Sequence, residues 1–260
     1  MMQMDGAARD LDMAARCGEP SYLWRAGQER RMSMVIAAAG DRLRGRILDN
    51  GCGVGAYLEH FSEYSSKAFG LEFERQRASL AAGRNGGRVL VAACENLPFR
   101  AGVFDLVLSH EVLEHVQDDR RAAEEMVRVL RAPQPETSQP GGRMVVFVPN
   151  RGYPFETHGV YWRGRYRFGN IPFINYLPRR LRDRLAPHVR AYRPSDLERL
   201  FGNLPVRVTS RKTLFGGYDN LVVRWLVFGR LLQALAQFLE KTPLHVLGLS
   251  HLWVLERDET

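Results

Sequence analysis

The sequence contains carboxylate and imidazole side chains at a spacing suited to metal binding or proton transfer. Glu111, Glu114 and His115 stand at i, i+3 and i+4, which would place them on one face if the segment is helical. Such side chains bind divalent cations and also act as general acids or bases. His158, beside Glu156 in a later segment, is a further candidate for either role. The pattern is not HExxH, which excludes the zinc-protease interpretation.

A glycine-rich turn provides a second candidate site. Asp49-Asn-Gly-Cys-Gly-Val-Gly55 follows a short apolar run, and its glycines let the backbone approach a ligand closely. Its GxGxG spacing differs from the GxGxxG fingerprint of dinucleotide sites, and the Lys-Ser/Thr pair of a P-loop is missing. Glu72 ends the next apolar run, where a carboxylate can accept hydrogen bonds from both hydroxyls of a ribose.

Alternating strands and helices must position these residues. Apolar runs predict strands over 46–50, 68–72, 88–92, 103–109 and 143–148. Helical patterns occupy 55–65, 74–83 and 118–131. This alternation predicts a parallel sheet with helices on both faces. Farther on, the sequence predicts a capped helix over 194–201 and two last strands over 206–210 and 252–256, with a helical segment between them.

These motifs make the chain resemble the class I S-adenosylmethionine-dependent methyltransferases, of the broad UbiG-like (methyltransferase type 11/12) group. The resemblance covers about residues 46–150 and is weaker from there to the end. Val103-Phe-Asp-Leu-Val-Leu-Ser-His110 matches the family's fourth strand. Arg128-Val-Leu130 and Pro140-Gly-Gly-Arg143 match its signature before strand five, split here by a Pro-rich loop over 132–139.

The family fold implies an α/β architecture with a Rossmann-like seven-stranded sheet, helices on both faces and an antiparallel last hairpin. An irregular lid and a helical insertion before the last strand would complete it. The expected divisions are an N-terminal helical segment (1–45), a cofactor-binding core (46–150), a substrate lid (151–193) and a C-terminal helix-strand-helix-strand unit (194–260).

The resemblance also implies which residues bind S-adenosylmethionine. In the family the glycine turn cradles the methionine and ribose part, and the acidic end of strand two binds the ribose diol. The segment flanking the adenine matches Cys94-Glu-Asn-Leu-Pro-Phe99, but the usual Asp before it is Ala93 here. Backbone groups or Glu95 would therefore hold the adenine. The predicted cofactor-binding residues are Asp49, Gly51, Cys52, Gly53, Gly55, Glu72, Phe73, Cys94, Glu95, Ser109 and His110.

The carboxylate and imidazole cluster has its own resemblance. It is similar to the Glu-x-x-Glu-His metal set of quinone-biosynthesis O-methyltransferases and of small-RNA 2′-O-methyltransferases. This implies a divalent cation such as Mg²⁺ at Glu111, Glu114, His115 and His158, although metal-free relatives share the pattern and use it for packing and capping. The candidate catalytic residues are His158, His110 and Glu111, and His188 is expected to be structural.

The sequence defines the chemical class of the methyl acceptor less narrowly than it defines the cofactor. We expect O-methylation of a small or lipid-linked acceptor of the quinone, glycan or polyprenyl type. RNA 2′-O-methylation and a non-catalytic regulatory protein are the alternatives. Of the net charge of +8, most lies in residues 151–200, where 11 arginines face 4 acids, which suits phosphate, nucleic acid or an anionic membrane. Nucleic acid is the less favoured partner because no RNA-binding module is present.

Composition and targeting signals bound the remaining possibilities. With 260 residues, 45% hydrophobic and 25% charged, the chain is a folded protein rather than a disordered or collagen-like one. Cys17, Cys52 and Cys94 form no CxxC pair, which indicates a reducing compartment and no structural zinc site. The N-terminus has no signal-peptide core, and no apolar stretch spans a bilayer. We expect a cytoplasmic protein, with possible peripheral contact at the inner membrane face through 221–241 and the basic 151–200 segment.

Overall fold

The computed structural model describes Trp24 and residues 26–259. The strands are β1 (Ile47–Asn50), β2 (Ala68–Glu72), β3 (Val89–Val91), β4 (Leu106–His110), β5 (Arg143–Pro149), β6 (Phe155–Glu156), β7 (Val160–Trp162), β8 (Arg165–Arg167), β9 (Ile171–Pro172), β10 (Val206–Leu214) and β11 (Ser250–Arg257). The α-helices are α1 (Ala26–Ala39), α2 (Ala56–Tyr64), α3 (Arg75–Arg84), α4 (Asp119–Val129), α5 (Arg179–Leu185), α6 (Pro194–Phe201), α7 (Asp219–Arg224) and α8 (Leu226–Leu239). Short 3₁₀ turns cover 40–44, 135–137, 174–176 and 243–247.

Seven strands form one mixed sheet in the order β3-β2-β1-β4-β5-β11-β10. The first five of these are parallel to one another, and β11 runs antiparallel between β5 and β10. Helices α2, α3 and α4 connect three of the consecutive parallel pairs, and a long irregular segment, 92–105, connects β3 to β4, because a parallel crossover needs a long connection. The predicted seven-stranded sheet with an antiparallel last hairpin is therefore confirmed.

The two faces of the sheet bury separate cores. Side chains alternate between faces along a strand, so Val146 of β5 packs in the core that α4 and α6 cover, whereas Phe147 packs in the core that α1 and α2 cover. Both are fully buried. Helix α4 begins where the Asp118 carboxylate accepts the backbone N–H of Arg121, and its alanines and methionine face the first core.

The structure differs from the sequence prediction at several element boundaries and in one element type. Strand β4 begins at Leu106 rather than at 103, and β10 extends to Leu214 rather than ending at 210. The 111–115 segment forms a turn instead of a helix. Consequently Glu111, Glu114 and His115 do not share a helix face, and their positions are set by the turn that leaves β4.

The lid segment, 151–193, is more ordered than predicted. It contains two small antiparallel pairs, β6 with β9 and β7 with β8, as well as α5. Val160, Ala186 and Val189 form a small core of their own. Residues 132–139 form a mostly exposed loop, as predicted. The N-terminal helical segment is seen as α1 and the 40–44 turn, whereas 1–23 and Cys17 within it lie outside the described residues.

Candidate functional site

The predicted cofactor residues meet at one edge of the sheet. Strands β1, β2 and β4 are parallel neighbours, so their carboxyl ends lie side by side. Asn50, Glu72 and His110 are the last residues of these strands. Ligands of open parallel sheets bind at this edge.

The glycine turn has a backbone that other residues adopt only at a cost. Gly51, Gly53 and Gly55 have φ angles of +83°, +56° and +86°. A Cβ atom added at Gly51 would lie 2.3 Å from the Cγ2 atom of Val112. Close packing and positive φ together explain why glycine stands here, and they leave an open backbone loop directly before α2.

Glu72 fastens this turn to the end of β2. Its carboxylate is buried and accepts the backbone N–H groups of Gly53 and Glu74, each at 2.9 Å. A carboxylate that accepts two backbone N–H groups is held in one orientation. Glu72 therefore both positions the turn and presents negative charge beside it.

Asp49 is buried in the same place with a carboxylate oxygen that the described chain leaves unpaired. The side chain is 2% exposed, and Oδ2 has no hydrogen-bond partner among the described residues. Burial, together with the nearby charge of Glu72, raises the pKa of Asp49 to about 7. Leaving a buried polar atom unpaired costs free energy, so a cationic or hydrogen-bonding ligand would be stabilised here. The hydroxyl of Ser109, fully buried at the end of β4, is also unpaired within the described chain.

The other predicted cofactor residues have more varied surroundings. The Sγ atom of Cys94 accepts the side-chain N–H of Asn50 at 2.7 Å. Oε1 of Glu95 accepts the backbone N–H of Gln117 at 2.8 Å and so supports the turn after β4. Cys52 is buried and free, whereas Phe73 is 76% exposed. The Phe73 ring is therefore the most exposed of these side chains.

Arg31 of α1 is a site residue that the sequence analysis missed. Its Nη1 atom lies 2.8 Å from Nε2 of His110 and 2.6 Å from a carboxylate oxygen of Glu111, and Nη2 donates to the Ser250 hydroxyl. An arginine keeps its protons, so Nε2 of His110 must accept. An arginine in an amphipathic N-terminal helix carries no local signal of such a role.

This contact fixes the charge states of two candidate catalytic residues. Burial lowers the pKa of His110 to about 4, so its ring is neutral. Burial alone would raise the pKa of Glu111, but the Arg31 guanidinium outweighs it and the pKa is about 2. Glu111 also has φ of +57°, in the left-handed region. His110 and Glu111 therefore act as a neutral acceptor and an ion-paired carboxylate while Arg31 is in place.

Three of the four predicted metal ligands are brought together. Ligand atoms of Glu114, His115 and His158 all lie within 4.8 Å of one another. Glu111 is not part of this group, because the turn after β4 directs it to Arg31 instead. Glu114 is 1% exposed, and both of its carboxylate oxygens are unpaired within the described chain. Burial raises the pKa of Glu114 well above its ordinary value and lowers that of His115 to about 4.

His158 is oriented by a buried ion pair. Its Nδ1 atom lies 3.1 Å from Oε1 of Glu156, and Oε2 of Glu156 accepts Nη2 of Arg182 at 2.7 Å. Glu156 and Arg182 are both nearly inaccessible to solvent. His188 has Nε2 3.0 Å from the backbone oxygen of His158, a contact consistent with the structural role predicted for it. The imidazole of His158 is therefore held in one place, as a ligand or a base requires.

Comparisons with known proteins agree with this geometry. Residues 48–133 match the family model of a methyltransferase domain. A norajmaline N-methyltransferase from Rauvolfia serpentina is 36% identical over 91 residues, which are 32% of this chain and 31% of that protein. The chain thus spans about a third of the length of that curated relative.

Solved structures show how widely the fold is shared. An S-adenosylmethionine dependent methyltransferase from Mesorhizobium loti has a TM-score of 0.58 at 19% identity, covering 86% of this chain and 96% of that one. The geranyl diphosphate C-methyltransferase from Streptomyces coelicolor A3(2), in complex with Mg²⁺, geranyl diphosphate and S-adenosyl-L-homocysteine, has a TM-score of 0.56 at 15% identity, covering 88% and 77%. The chain has the class I methyltransferase fold; the finer UbiG-like grouping stays a prediction.

Replacing Gly51 tests the glycine turn. We expect Gly51→Ala to lower the free energy of unfolding by about 1–3 kcal/mol, because the alanine must adopt positive φ and displace Val112. The control is Gly83→Ala in α3, where an added Cβ meets nothing within 4 Å and we expect a gain of about 0.4–1 kcal/mol. Urea denaturation measures both; equal effects would contradict the role assigned to the turn.

Proposed function

We propose that the chain is an S-adenosylmethionine-dependent methyltransferase. The observation that carries this proposal is the unpaired, buried Oδ2 atom of Asp49 beside the glycine turn. A ligand with a cationic group would remove the cost of that buried charge, and S-adenosylmethionine carries both an ammonium and a sulfonium group. The methyltransferase-domain match over 48–133 and the shared fold support the same cofactor.

The residues present fit this cofactor. When bound, S-adenosylmethionine supplies a methyl group on a sulfonium for in-line transfer. Asp49 would hold a cationic group, and the glycine turn would accommodate the methionine and ribose part of the cofactor. Glu72 would exchange one of its backbone N–H contacts for contacts with the ribose hydroxyls. Cys94 and Glu95 would flank the adenine. The Ser109 hydroxyl, at the end of β4, is available for a further hydrogen bond.

We assign the transfer to an oxygen of a small or lipid-linked acceptor. An oxygen nucleophile gains from losing its proton to a positioned base. His158, held by Glu156 and adjacent to Glu114 and His115, is the group best placed to take that proton. The relative from Rauvolfia serpentina is an N-methyltransferase, so transfer to nitrogen is the outcome against which this assignment is tested.

Methyl-labelled S-adenosylmethionine and a cell extract test the proposed function. We expect the purified protein to transfer label to a product that enters the organic phase or the small-molecule aqueous fraction. Asp49→Asn, which keeps the shape but removes the charge, should weaken cofactor binding and transfer at least about tenfold. Lys67→Gln, at an exposed position in the loop before β2, is the control.

Three outcomes would overturn parts of this assignment. Label that ribonuclease releases would favour RNA as the acceptor, and a product labelled on nitrogen would remove the oxygen acceptor. Cofactor binding without formation of S-adenosylhomocysteine in any extract would identify a non-catalytic protein.

As the alternative in which His158 is a ligand and not the base, we further propose that a divalent cation binds at Glu114, His115 and His158. The donor set combines one carboxylate and two imidazoles within 4.8 Å, and the Glu114 oxygens are buried without a partner in the described chain. A bound cation supplies Lewis-acid activation of an acceptor oxygen. Glu156, which contacts His158 and is itself held by Arg182, would keep one imidazole in ligating orientation.

Titration with Mn²⁺, followed by calorimetry, tests the cation site. We expect His158→Ala and Glu114→Gln each to weaken Mn²⁺ binding at least about tenfold, while His60→Ala, at a histidine outside the group, binds like the wild type. Circular dichroism confirms that each variant is folded. Equal Mn²⁺ affinity of the wild type and His158→Ala, or no binding by either, would remove the cation from the proposal.

An apolar surface supports contact with an anionic membrane. It consists of the exposed side chains Trp225, Leu226, Val227, Phe228, Leu231, Leu235, Phe238, Leu244 and Val246. Glu240, at the end of α8, is ion-paired with Arg30, whereas Arg230 and Lys241 are exposed, so the charge left at this surface is positive. An apolar helix face with basic residues is typical of interfacial binding. In the described part of the chain, no helix is long and apolar enough to cross a membrane.

Flotation with vesicles of phosphatidylglycerol and phosphatidylcholine tests this contact. We expect wild-type protein to float at low salt and the double variant Leu231→Gln/Phe238→Ser to remain behind, because two apolar anchors are lost. Leu80→Gln/Tyr64→Ser changes two exposed apolar residues outside the surface and should float normally. Absence of flotation, or a concentration-dependent dimer that the first double variant abolishes, would overturn the membrane as the partner.

A further inference from the structure

An open cleft of about 710 Å³ lies between the turn after β4, helix α5 and helix α6. Glu114 and His115 line one part of it. The rest is notable for guanidinium groups contributed by separate segments of the chain. These are Arg120, Arg151, Arg179, Arg182, Arg190 and Arg199.

Arg151 is buried at this cleft without an ion-pair partner among the described residues, Asp196 being the nearby carboxylate that acts on it from a longer distance. Its side chain donates to the backbone oxygens of Asn175 and Leu177, at 3.1 and 2.8 Å. The residue is 7% exposed, and no carboxylate in the described part of the chain lies within ion-pair distance of it. Burial and repulsion from neighbouring arginines lower the pKa of Arg151. A buried cation held only by carbonyl groups is costly, and an anion would relieve that cost.

The positive charge that carboxylates do not offset is concentrated around Asp196. Elsewhere in the cleft, Arg120 pairs with Glu124 and Arg182 pairs with Glu156. Arg179 and Arg199 share the single carboxylate of Asp196. Arg190 donates to the backbone oxygens of Val116 and Gln117 and lies 3.9 Å from Asp119. The excess of positive charge is therefore local, because the guanidinium groups of Arg151, Arg179 and Arg199 have the single carboxylate of Asp196 near them.

We propose that this cleft binds the phosphate or diphosphate group of the methyl acceptor. Guanidinium groups match the oxygens of a phosphate in pairs and are preferred for its recognition. The inference rests on the proposed function, because it places the anionic part of the acceptor next to Glu114 and His115. The volume is that of a small-molecule site. The depth of Arg151 favours a terminal phosphate over the continuous backbone of a nucleic acid.

Calorimetric titration of the full chain with inorganic pyrophosphate tests the cleft. The titration is run at constant ionic strength with EDTA, so that no cation contributes. We expect saturable binding that Arg179→Ala/Arg199→Ala weakens at least tenfold. Both side chains are mostly exposed, so this variant should fold. The matched control is Arg180→Ala/Arg184→Ala, which removes the same charge from exposed positions of α5 outside the cleft and should bind like the wild type.

The outcomes separate this inference from the proposed function. Pyrophosphate that does not bind, or that binds both double variants alike, overturns the cleft, and normal S-adenosylmethionine binding by the same protein leaves the methyltransferase proposal standing. Saturable pyrophosphate binding by a protein with no affinity for S-adenosylmethionine would support the cleft as an anion site and overturn the methyltransferase proposal. Tighter binding of a single-stranded oligonucleotide than of pyrophosphate, with a steep salt dependence, would replace the small-molecule acceptor with RNA.

Discussion

Buried negative charge at the carboxyl edge of the sheet is the constraint on which the site depends. Ionised carboxylates are costly away from water, so each must be paired, hydrogen-bonded or neutralised. The chain solves this differently at each position. Glu72 accepts two backbone N–H groups, Glu111 pairs with Arg31, and Glu156 pairs with Arg182. Within the described residues, Asp49 and Glu114 are left with unpaired oxygens, and they lie in the two places where a cofactor and a cation would bind.

Arginine has opposite roles on the two sides of this edge. Arg31 and Arg182 form ion pairs with internal carboxylates. Arg31 also holds His110 as a neutral hydrogen-bond acceptor, and Arg182 orients the His158 ring through Glu156. Among the described residues, Arg151 has carbonyl partners and no ion pair. The excess of positive charge in the 151–200 segment therefore has a structural origin for some residues and a ligand-binding explanation for others.

The lid connects these two uses of charge. Arg182 of α5 lines the arginine-rich cleft and also holds Glu156, which in turn contacts His158. A change in the position of α5 would alter both environments at once, since the Arg182 guanidinium belongs to both. The group that recognises an anion and the group that orients a base are thus linked by a single buried ion pair.

The sequence alone determined the alternating strands and helices, the glycine turn and the position of Glu72 at a strand end, because apolar periodicity and glycine spacing are local properties of the chain. The seven-stranded sheet with its antiparallel last hairpin was implied by the family resemblance. Most strand and helix positions, including β2 over 68–72 and α6 over 194–201, follow from these patterns. Only the tertiary structure decided the partners of the charged residues. It brought Arg31 to His110 across 79 residues and directed Glu111 to Arg31 rather than into the group of Glu114. Within the described residues it left Arg151 without an ion-pair partner. Charge pairing depends on distance in space, and the types of residues in a sequence do not indicate which distant side chains the fold places in contact.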